Sequence, residues 1–184
     1  KMDINRLSKT LAASLNAQIT EEAFAAQVYL SYGSWASSQG YTGIANFLFR
    51  HAEEERNHMT KILEYILKRG GEVKIAAIPA PGGNPTKISD CFEKIYKNEV
   101  NNTKAIYAIV KMSLEEEDWA TWNFMQWFVK EQIEEESFAM NLLDKLKIAG
   151  GEKAGPNELY SLDRDLKNET DDEKPAEELT AANP

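Results

Sequence analysis

The sequence has few of the residues that define several common protein classes. A single cysteine, Cys91, excludes an intrachain disulfide framework and is typical of a reducing compartment, so we expect a cytoplasmic location. Basic residues are not in surplus. The formal net charge of −9 argues against nucleic acid or an anionic membrane as a partner, because both bind basic patches. The N-terminal residues show no secretory signal pattern, which agrees with a cytoplasmic protein.

We expect no membrane-spanning segment in this chain, although one long stretch without charge resembles one. Residues 23–49 carry no charge, but they include Gln27, Gln39, Asn46, four serines and three glycines, which a span of that length would not. Hydrophobic residues make up 42% of the 184 residues and charged residues 28%. These values are typical of one globular domain with a real core, and we expect no membrane partner.

Apolar residues recur at spacings of three and four along most of the chain, which predicts an all-α protein. We expect one domain over residues 3–168, with helices at about 3–38, 43–69, 89–117, 121–148 and 156–168. Thr42 is the expected N-cap of the second helix. Residues 169–184 are rich in Glu, Asp, Thr, Ala and Pro, and we expect them to form a disordered acidic tail.

The connections between these helices predict the topology. The short turn at residues 39–43 makes the first two helices an antiparallel hairpin. Residues 70–88 are rich in glycine and proline, and a loop of that length can run along a whole helix before the next helix begins. The pattern is typical of a four-helix bundle with a long crossover between helices two and three, followed here by a short fifth C-terminal helix.

The most informative stretch is RHAEEERNHM, residues 50–59. Its Glu55 and His58 have the i, i+3 spacing that places two side chains on one helix face. A carboxylate and an imidazole at that distance can bind one metal ion. Taken alone, the stretch is also typical of a solvated acidic helix face.

An internal repeat favours the metal-site interpretation. The two predicted hairpins repeat at an offset of 77 residues, so that Glu22 pairs with Glu99 and His58 with Glu135. The repeat places the second turn at residues 117–119, where neither glycine nor proline marks it. Two antiparallel hairpins would then bring six polar side chains to one level inside the bundle: Glu22, Glu55, His58, Glu99, Gln132 and Glu135.

Four glutamates inside a bundle need a source of positive charge. Buried carboxylates repel each other and lose their hydration, and no lysine or arginine lies on the same stripe near the centre. A divalent or trivalent metal ion balances such a set. Oxygen-rich ligation with one imidazole suits iron or manganese better than structural zinc.

With these residues placed, the chain resembles the bacterial non-haem ferritins of the ferritin-like di-iron family. Four segments carry the resemblance between Asp3 and about Leu166: LSYGSW after Tyr29, RHAEEERNHM, YKNE ending at Glu99, and FMQWFVKEQIEEE. The resemblance implies a homo-oligomeric hollow shell of twenty-four subunits. It also implies ferroxidase activity, in which an intrasubunit di-iron centre oxidises Fe²⁺ to Fe³⁺ with O₂ or peroxide. The iron is then stored inside the shell as a ferric oxide-hydroxide mineral.

The resemblance also implies ligands by position. Glu22, Glu55 and His58 match the ligands of a first iron, and Glu55 bridges to a second iron held by Glu99 and Glu135.

A third iron site is implied as well, formed by Glu54, Glu131, Glu134 and Glu135. Gln132 matches an amide beside the centre, on its oxygen-binding side. Tyr29 matches a tyrosine next to the centre, for which core packing and electron donation both remain open.

Departures from related families narrow the expectation. Bacterioferritins carry a haem-ligating methionine where this chain has Arg56, and a second Glu-x-x-His where it has Gln132 to Glu135, so no haem is expected. Two alternatives stay open. One is a di-iron or di-manganese oxidase or catalase acting on a small substrate, and the other is a Dps-like protective shell without significant ferroxidase activity.

Overall fold

The computed structural model describes residues 4–168 and confirms the all-α prediction. This part of the chain forms five α-helices, one short 3-10 helix at Gly151–Lys153, and no strand. The α-helices are α1 (Lys9–Ser38), α2 (Thr42–Lys68), α3 (Ile88–Glu115), α4 (Trp119–Ile148) and α5 (Pro156–Asn168). None of the helices among these residues combines the length and hydrophobicity that a membrane span requires. The predicted acidic tail, 169–184, lies outside the described residues.

The first helix begins at Lys9, later than the start near residue 3 that the periodicity predicted. Two side chains explain the difference. The backbone N–H of Leu11 donates to Ser8 Oγ at 3.0 Å, so Ser8 caps the helix. Just before it, the N–H of Leu7 donates to Asn5 Oδ1 at 3.0 Å. Local side-chain acceptors of this kind compete with helical hydrogen bonds and hold the preceding residues outside the helix.

The helices form two hairpins, α1 with α2 and α3 with α4, joined by contacts between α1 and α3. Residues 69–87 contain no helix or strand. At their beginning they bind α1, where Asn16 Oδ1 accepts from the N–H of Lys74 at 2.6 Å. At their end Lys87 Nζ donates to Glu152 Oε1, beyond the end of α4, at 2.6 Å. The segment therefore runs from one end of the bundle to the other, which confirms the predicted long crossover.

The fifth helix packs on the first turn of α2. The N–H of Ile44 donates to Asp163 Oδ1 at 2.8 Å, so a side chain of α5 caps α2. The predicted cap, Thr42, is instead the first residue of the helix, and Tyr41 at the N-cap position makes no side-chain cap bond. Residue 43 must be glycine, because a Cβ there would lie 1.8 Å from the carbonyl oxygen of Asp163.

The core consists of two apolar clusters with a polar layer between them. One cluster lies around Leu15, Ile62 and Phe128, and the other around Leu48 and Phe92. Each of the four long helices passes from one cluster to the other through buried polar residues, for example Glu22 in α1 and Glu99 in α3. The polar layer therefore crosses the bundle at one level, as the repeat predicted.

The repeat also explains the second turn. Glu117, the counterpart of Gly40, has a φ of 55°, against 88° for Gly40. The hydrogen bonds match too: Tyr41 N–H donates to Ala36 O at 3.0 Å, and Asp118 N–H donates to Ser113 O at 2.9 Å. Within residues 4–168, Glu117 is the one non-glycine residue with a positive φ. The same turn geometry is thus formed without the residue that best tolerates it.

Replacing Glu117 with glycine should therefore stabilise the protein. The left-handed conformation costs a non-glycine residue about 1–2 kcal/mol, and the greater chain entropy of glycine offsets roughly half of that. We expect Glu117→Gly to raise the free energy of unfolding by about 0.5–1 kcal/mol in denaturant titrations at equal protein concentration. Glu116→Gly is the matched control, since Glu116 has a φ of −88° and should only lose stability. A destabilised Glu117→Gly would contradict the strain argument.

Candidate metal centre

The polar layer brings together five ionisable side chains from all four long helices. Each is at most 4% exposed: Glu22 from α1, Glu55 and His58 from α2, Glu99 from α3 and Glu135 from α4. They share an inward position, because each replaces an apolar residue in the buried stripe of its helix. Ionised side chains are rarely buried to this extent unless they are paired or bind metal.

The first group of donors contains Glu22, Glu55 and His58, whose ligand atoms lie within 4.8 Å of one another. His58 Nδ1 is 3.2 Å from Glu55 Oε2 and 3.8 Å from Glu22 Oε2. The i, i+3 spacing in α2 and the packing of α1 against α2 produce this arrangement. These are the three residues expected to hold a first iron.

The second group contains Glu55, Glu99 and Glu135, again with ligand atoms within 4.8 Å. Glu55 belongs to both groups and therefore lies where a bridging ligand must lie. Tyr29 Oη donates to Glu99 Oε1 at 2.6 Å, and Gln132 Nε2 is 3.4 Å from Glu99 Oε2. Both neighbours expected beside the centre thus contact a carboxylate of the second group.

Two carboxylate oxygens in these groups are buried without a hydrogen-bond partner among the described residues, Glu55 Oε1 and Glu135 Oε2. Burial raises the pKa of both carboxyl groups well above the ordinary range, and the neighbouring carboxylates raise it further. Hard oxygen donors with raised proton affinity and unsatisfied oxygens fit divalent cations, which can replace the protons. The donor set therefore fits a pair of metal ions with Glu55 between them.

His58 is influenced by opposing effects. Burial lowers the pKa of its imidazole, but the Glu131 carboxylate, which faces the ring nitrogen as an acceptor, and the charges of Glu22 and Glu135 together raise it above its usual value. Trp127 packs edge-on against the ring at a centroid distance of 5.4 Å. The imidazole is thus held firmly in place.

The residues predicted for a third site are only partly brought together. Glu54 lies with Glu135 in one donor group, and Glu131 lies with Glu135 and His58 in another. His58 Nε2 is 3.7 Å from Glu131 Oε1. Glu134 is exposed and belongs to none of the donor groups within residues 4–168. Its role as a ligand stays a prediction.

The structure adds His51, which sequence reasoning missed. Its Nδ1 lies 3.1 Å from Glu54 Oε2 and 3.6 Å from Glu135 Oε2, and its ring stacks on Phe138 at 4.2 Å. A signal was available, since His51 and Glu54 have the same i, i+3 spacing as Glu55 and His58. The repeat could not reveal it, because the counterpart of His51 is the apolar Phe128.

A four-helix bundle with a long crossover and buried carboxylate and histidine donors defines a ferritin-like protein. Comparison with known proteins agrees. The family model described as Ferritin-like domain matches residues 12–149. The bacterial non-heme ferritin of Campylobacter jejuni is 38% identical over 162 residues, which cover 88% of this chain and 95% of that protein. The bacterial non-heme ferritin of Staphylococcus aureus is 34% identical over 168 residues, 91% of this chain and 99% of that protein.

Solved structures give the same result. The chain is similar to an open pore ferritin from the archaeon Archaeoglobus fulgidus, with a TM-score of 0.84 and 36% identity over 89% of this chain and 99% of that chain. The chain therefore belongs to the ferritin family.

The raised pKa values predict how stability without metal depends on pH. The folded protein binds more protons than the unfolded chain between the ordinary carboxyl pKa and the raised pKa of Glu135, so stability falls as pH rises through that window. Glu135→Gln removes the titration. We expect this variant to have a higher thermal midpoint than the wild type without metal, by a margin that grows from pH 5 to pH 8.

Glu134→Gln is the control for this experiment, since it makes the same change at an exposed position of the same helix. The margin for Glu135→Gln should exceed that for Glu134→Gln, and increasingly so towards pH 8. A difference between Glu135→Gln and the wild type that stays constant with pH would contradict the prediction.

Proposed function

We propose that this protein is an iron storage ferritin and a ferroxidase that oxidises Fe²⁺ to Fe³⁺ with O₂ or peroxide at its bundle centre. The ferric product is stored as an oxide-hydroxide mineral inside a hollow shell of identical subunits. The observation that supports this most directly is the position of Glu55, which belongs to two buried donor groups at once. Such sharing suits a pair of cations rather than a single structural ion.

Fe²⁺ is the substrate, and the two donor groups are its binding sites. Glu22, Glu55 and His58 hold the first ion, while Glu55, Glu99 and Glu135 hold the second. Because burial and the neighbouring carboxylates raise the pKa of Glu55 and Glu135, Fe²⁺ competes with protons for these two ligands. Carboxylate oxygens are hard ligands that favour Fe³⁺ over Fe²⁺, so the same residues promote oxidation.

The two ions are held unequally. The first group includes the imidazole of His58, whereas the second consists of carboxylates. Tyr29 stays protonated at neutral pH, because burial and the charge of Glu99 raise the pKa of its phenol well above 10. It can therefore donate its hydrogen bond to Glu99 and orient that ligand. Its phenol contacts a ligand of the centre and is therefore a candidate for supplying an electron.

We place a third iron position beside Glu135, which forms one donor group with His51 and Glu54 and another with His58 and Glu131. We assign His51 to it together with Glu54, and we retain Glu131 and Glu134 as carboxylates that hold iron leaving the centre. The side chains of Glu54 and Glu131 are 24% and 29% exposed, so this position is more accessible than the two central ones. The net charge of −9 attracts cations toward the protein.

The function is tested by oxidising Fe²⁺ in air and following ferric absorbance at known iron-to-subunit ratios. Glu55→Gln keeps the shape of the shared ligand but removes its charge, so we expect the initial rate to fall at least about tenfold. Glu53→Gln is the matched control, because Glu53 lies in the same helix with a side chain 68% exposed. Equal rates for Glu55→Gln and wild type would exclude the proposed centre.

Assembly separates storage from the alternatives. We expect sedimentation to give a particle of about twenty-four chain masses, the number implied by the ferritin resemblance, each chain contributing 20.8 kDa. A di-iron oxidase or catalase for a small substrate would sediment as a small oligomer. A protective shell without ferroxidase activity would assemble but would oxidise Fe²⁺ no faster than buffer does. A monomer or dimer would contradict the storage function.

A further inference from the structure

Side-chain amides hold both oxygens of the Glu22 carboxylate. Gln18 Nε2 donates to Glu22 Oε1 at 2.7 Å, and Asn102 Nδ2 donates to Glu22 Oε2 at 3.2 Å. Gln18 Nε2 also donates to Asn102 Oδ1 at 2.7 Å. The three side chains therefore form a closed triangle of hydrogen bonds, and each is at most 8% exposed.

The chemistry of the triangle determines how the amides face. The oxygens of Glu22 accept these hydrogen bonds, so both amides turn their nitrogens toward it. Gln18 then uses both of its N–H bonds, one on Glu22 and one on Asn102. This arrangement gives each oxygen of Glu22 a hydrogen-bond donor and restricts its side chain to one rotamer.

The other carboxylates of the centre have different hydrogen-bond partners. Glu99 accepts from Tyr29, whereas Glu55 and Glu135 each have one buried oxygen without a hydrogen-bond partner among the described residues. Neutral donors thus hold the carboxylates from α1 and α3, Glu22 and Glu99. The carboxylates from α2 and α4, Glu55 and Glu135, each keep one oxygen that can bind a cation.

The triangle does not follow from the internal repeat. The counterparts of Gln18 and Asn102 at the 77-residue offset are Ile95 and Ala25, which cannot donate side-chain hydrogen bonds. The amide pair is therefore a feature of the first donor group alone. It holds the ligand that only that group uses, since Glu22 is absent from the second group.

We propose that Gln18 and Asn102 are positioning residues that set the affinity of the first Fe²⁺ site. They hold Glu22 in the rotamer that faces Glu55 and His58 before the ion arrives, so binding does not have to order this ligand. The inference rests on the proposed function, because it assigns Glu22 to a cation site. It predicts an effect on one of the two central sites and not on the other.

The test uses Co²⁺, whose visible absorption reports its ligands and which is not oxidised by air under these conditions. Wild-type protein titrated with Co²⁺ should bind two ions at the centre. Asn102→Leu is nearly isosteric, and Asn102 borders a pocket of about 160 Å³ that can accept a small change in shape. We expect this variant to weaken one binding event about tenfold to hundredfold, with an altered absorption spectrum, and to leave the other unchanged.

Asn101→Leu is the matched control, since Asn101 is the exposed neighbour of Asn102 on the same helix. This variant should bind both ions as the wild type does. Gln18→Leu removes the triangle from the other side and should weaken the same binding event. Helical circular dichroism shows whether each variant folds. If Asn102→Leu does not fold, Gln18→Leu tests the proposal in its place.

Wild-type binding of both ions in a folded Asn102→Leu or Gln18→Leu variant would overturn the proposal. Equal weakening of both ions would also overturn it, because that result indicates general loss of structure rather than positioning of Glu22. A wild-type protein that binds no pair of Co²⁺ ions would contradict the proposed function itself. The two failures are therefore distinguishable.

Discussion

The structure depends on four glutamates held together in an apolar interior. Repulsion between Glu22, Glu55, Glu99 and Glu135, together with the loss of their hydration, costs stability that the bundle must recover elsewhere. Apolar clusters on both sides of the polar layer supply the packing. Amide and phenol donors hold Glu22 and Glu99, while burial and the neighbouring carboxylates raise the pKa of Glu55 and Glu135 well above the ordinary range, so these two bind protons more tightly. A cation that replaces those protons relieves the conflict, which is why the centre suits metal.

The ligands occupy one level because the fold is regular. Two antiparallel hairpins of similar helices place Glu22 opposite the motif in α2, and Glu99 opposite the motif in α4. The long crossover allows the second hairpin to repeat the first instead of reversing it. The shared turn geometry at Gly40 and Glu117 shows that the repeat extends to the backbone, even where the residue type differs.

Function depends on where the repeat is broken. His58 corresponds to Glu135, His51 to Phe128, and the amides of Gln18 and Asn102 to apolar residues. These differences make the donor groups unequal: the first has an imidazole and a carboxylate held by two amides, and the second consists of carboxylates. A symmetric scaffold thus carries two unequal buried donor groups and an adjacent third group.

The sequence by itself determined the fold class, the crossover and the central donors. Periodicity is local, and a glutamate within an apolar stripe is visible without any structure. Tertiary packing decided the rest, because it depends on residues far apart in the chain. Asp163 caps α2 from another helix. His51 forms a donor group with Glu135, whereas the adjacent Glu134 belongs to no donor group within residues 4–168. Successive helical side chains point about 100° apart, so only the packed rotation of α4 decides which of two adjacent glutamates faces the centre.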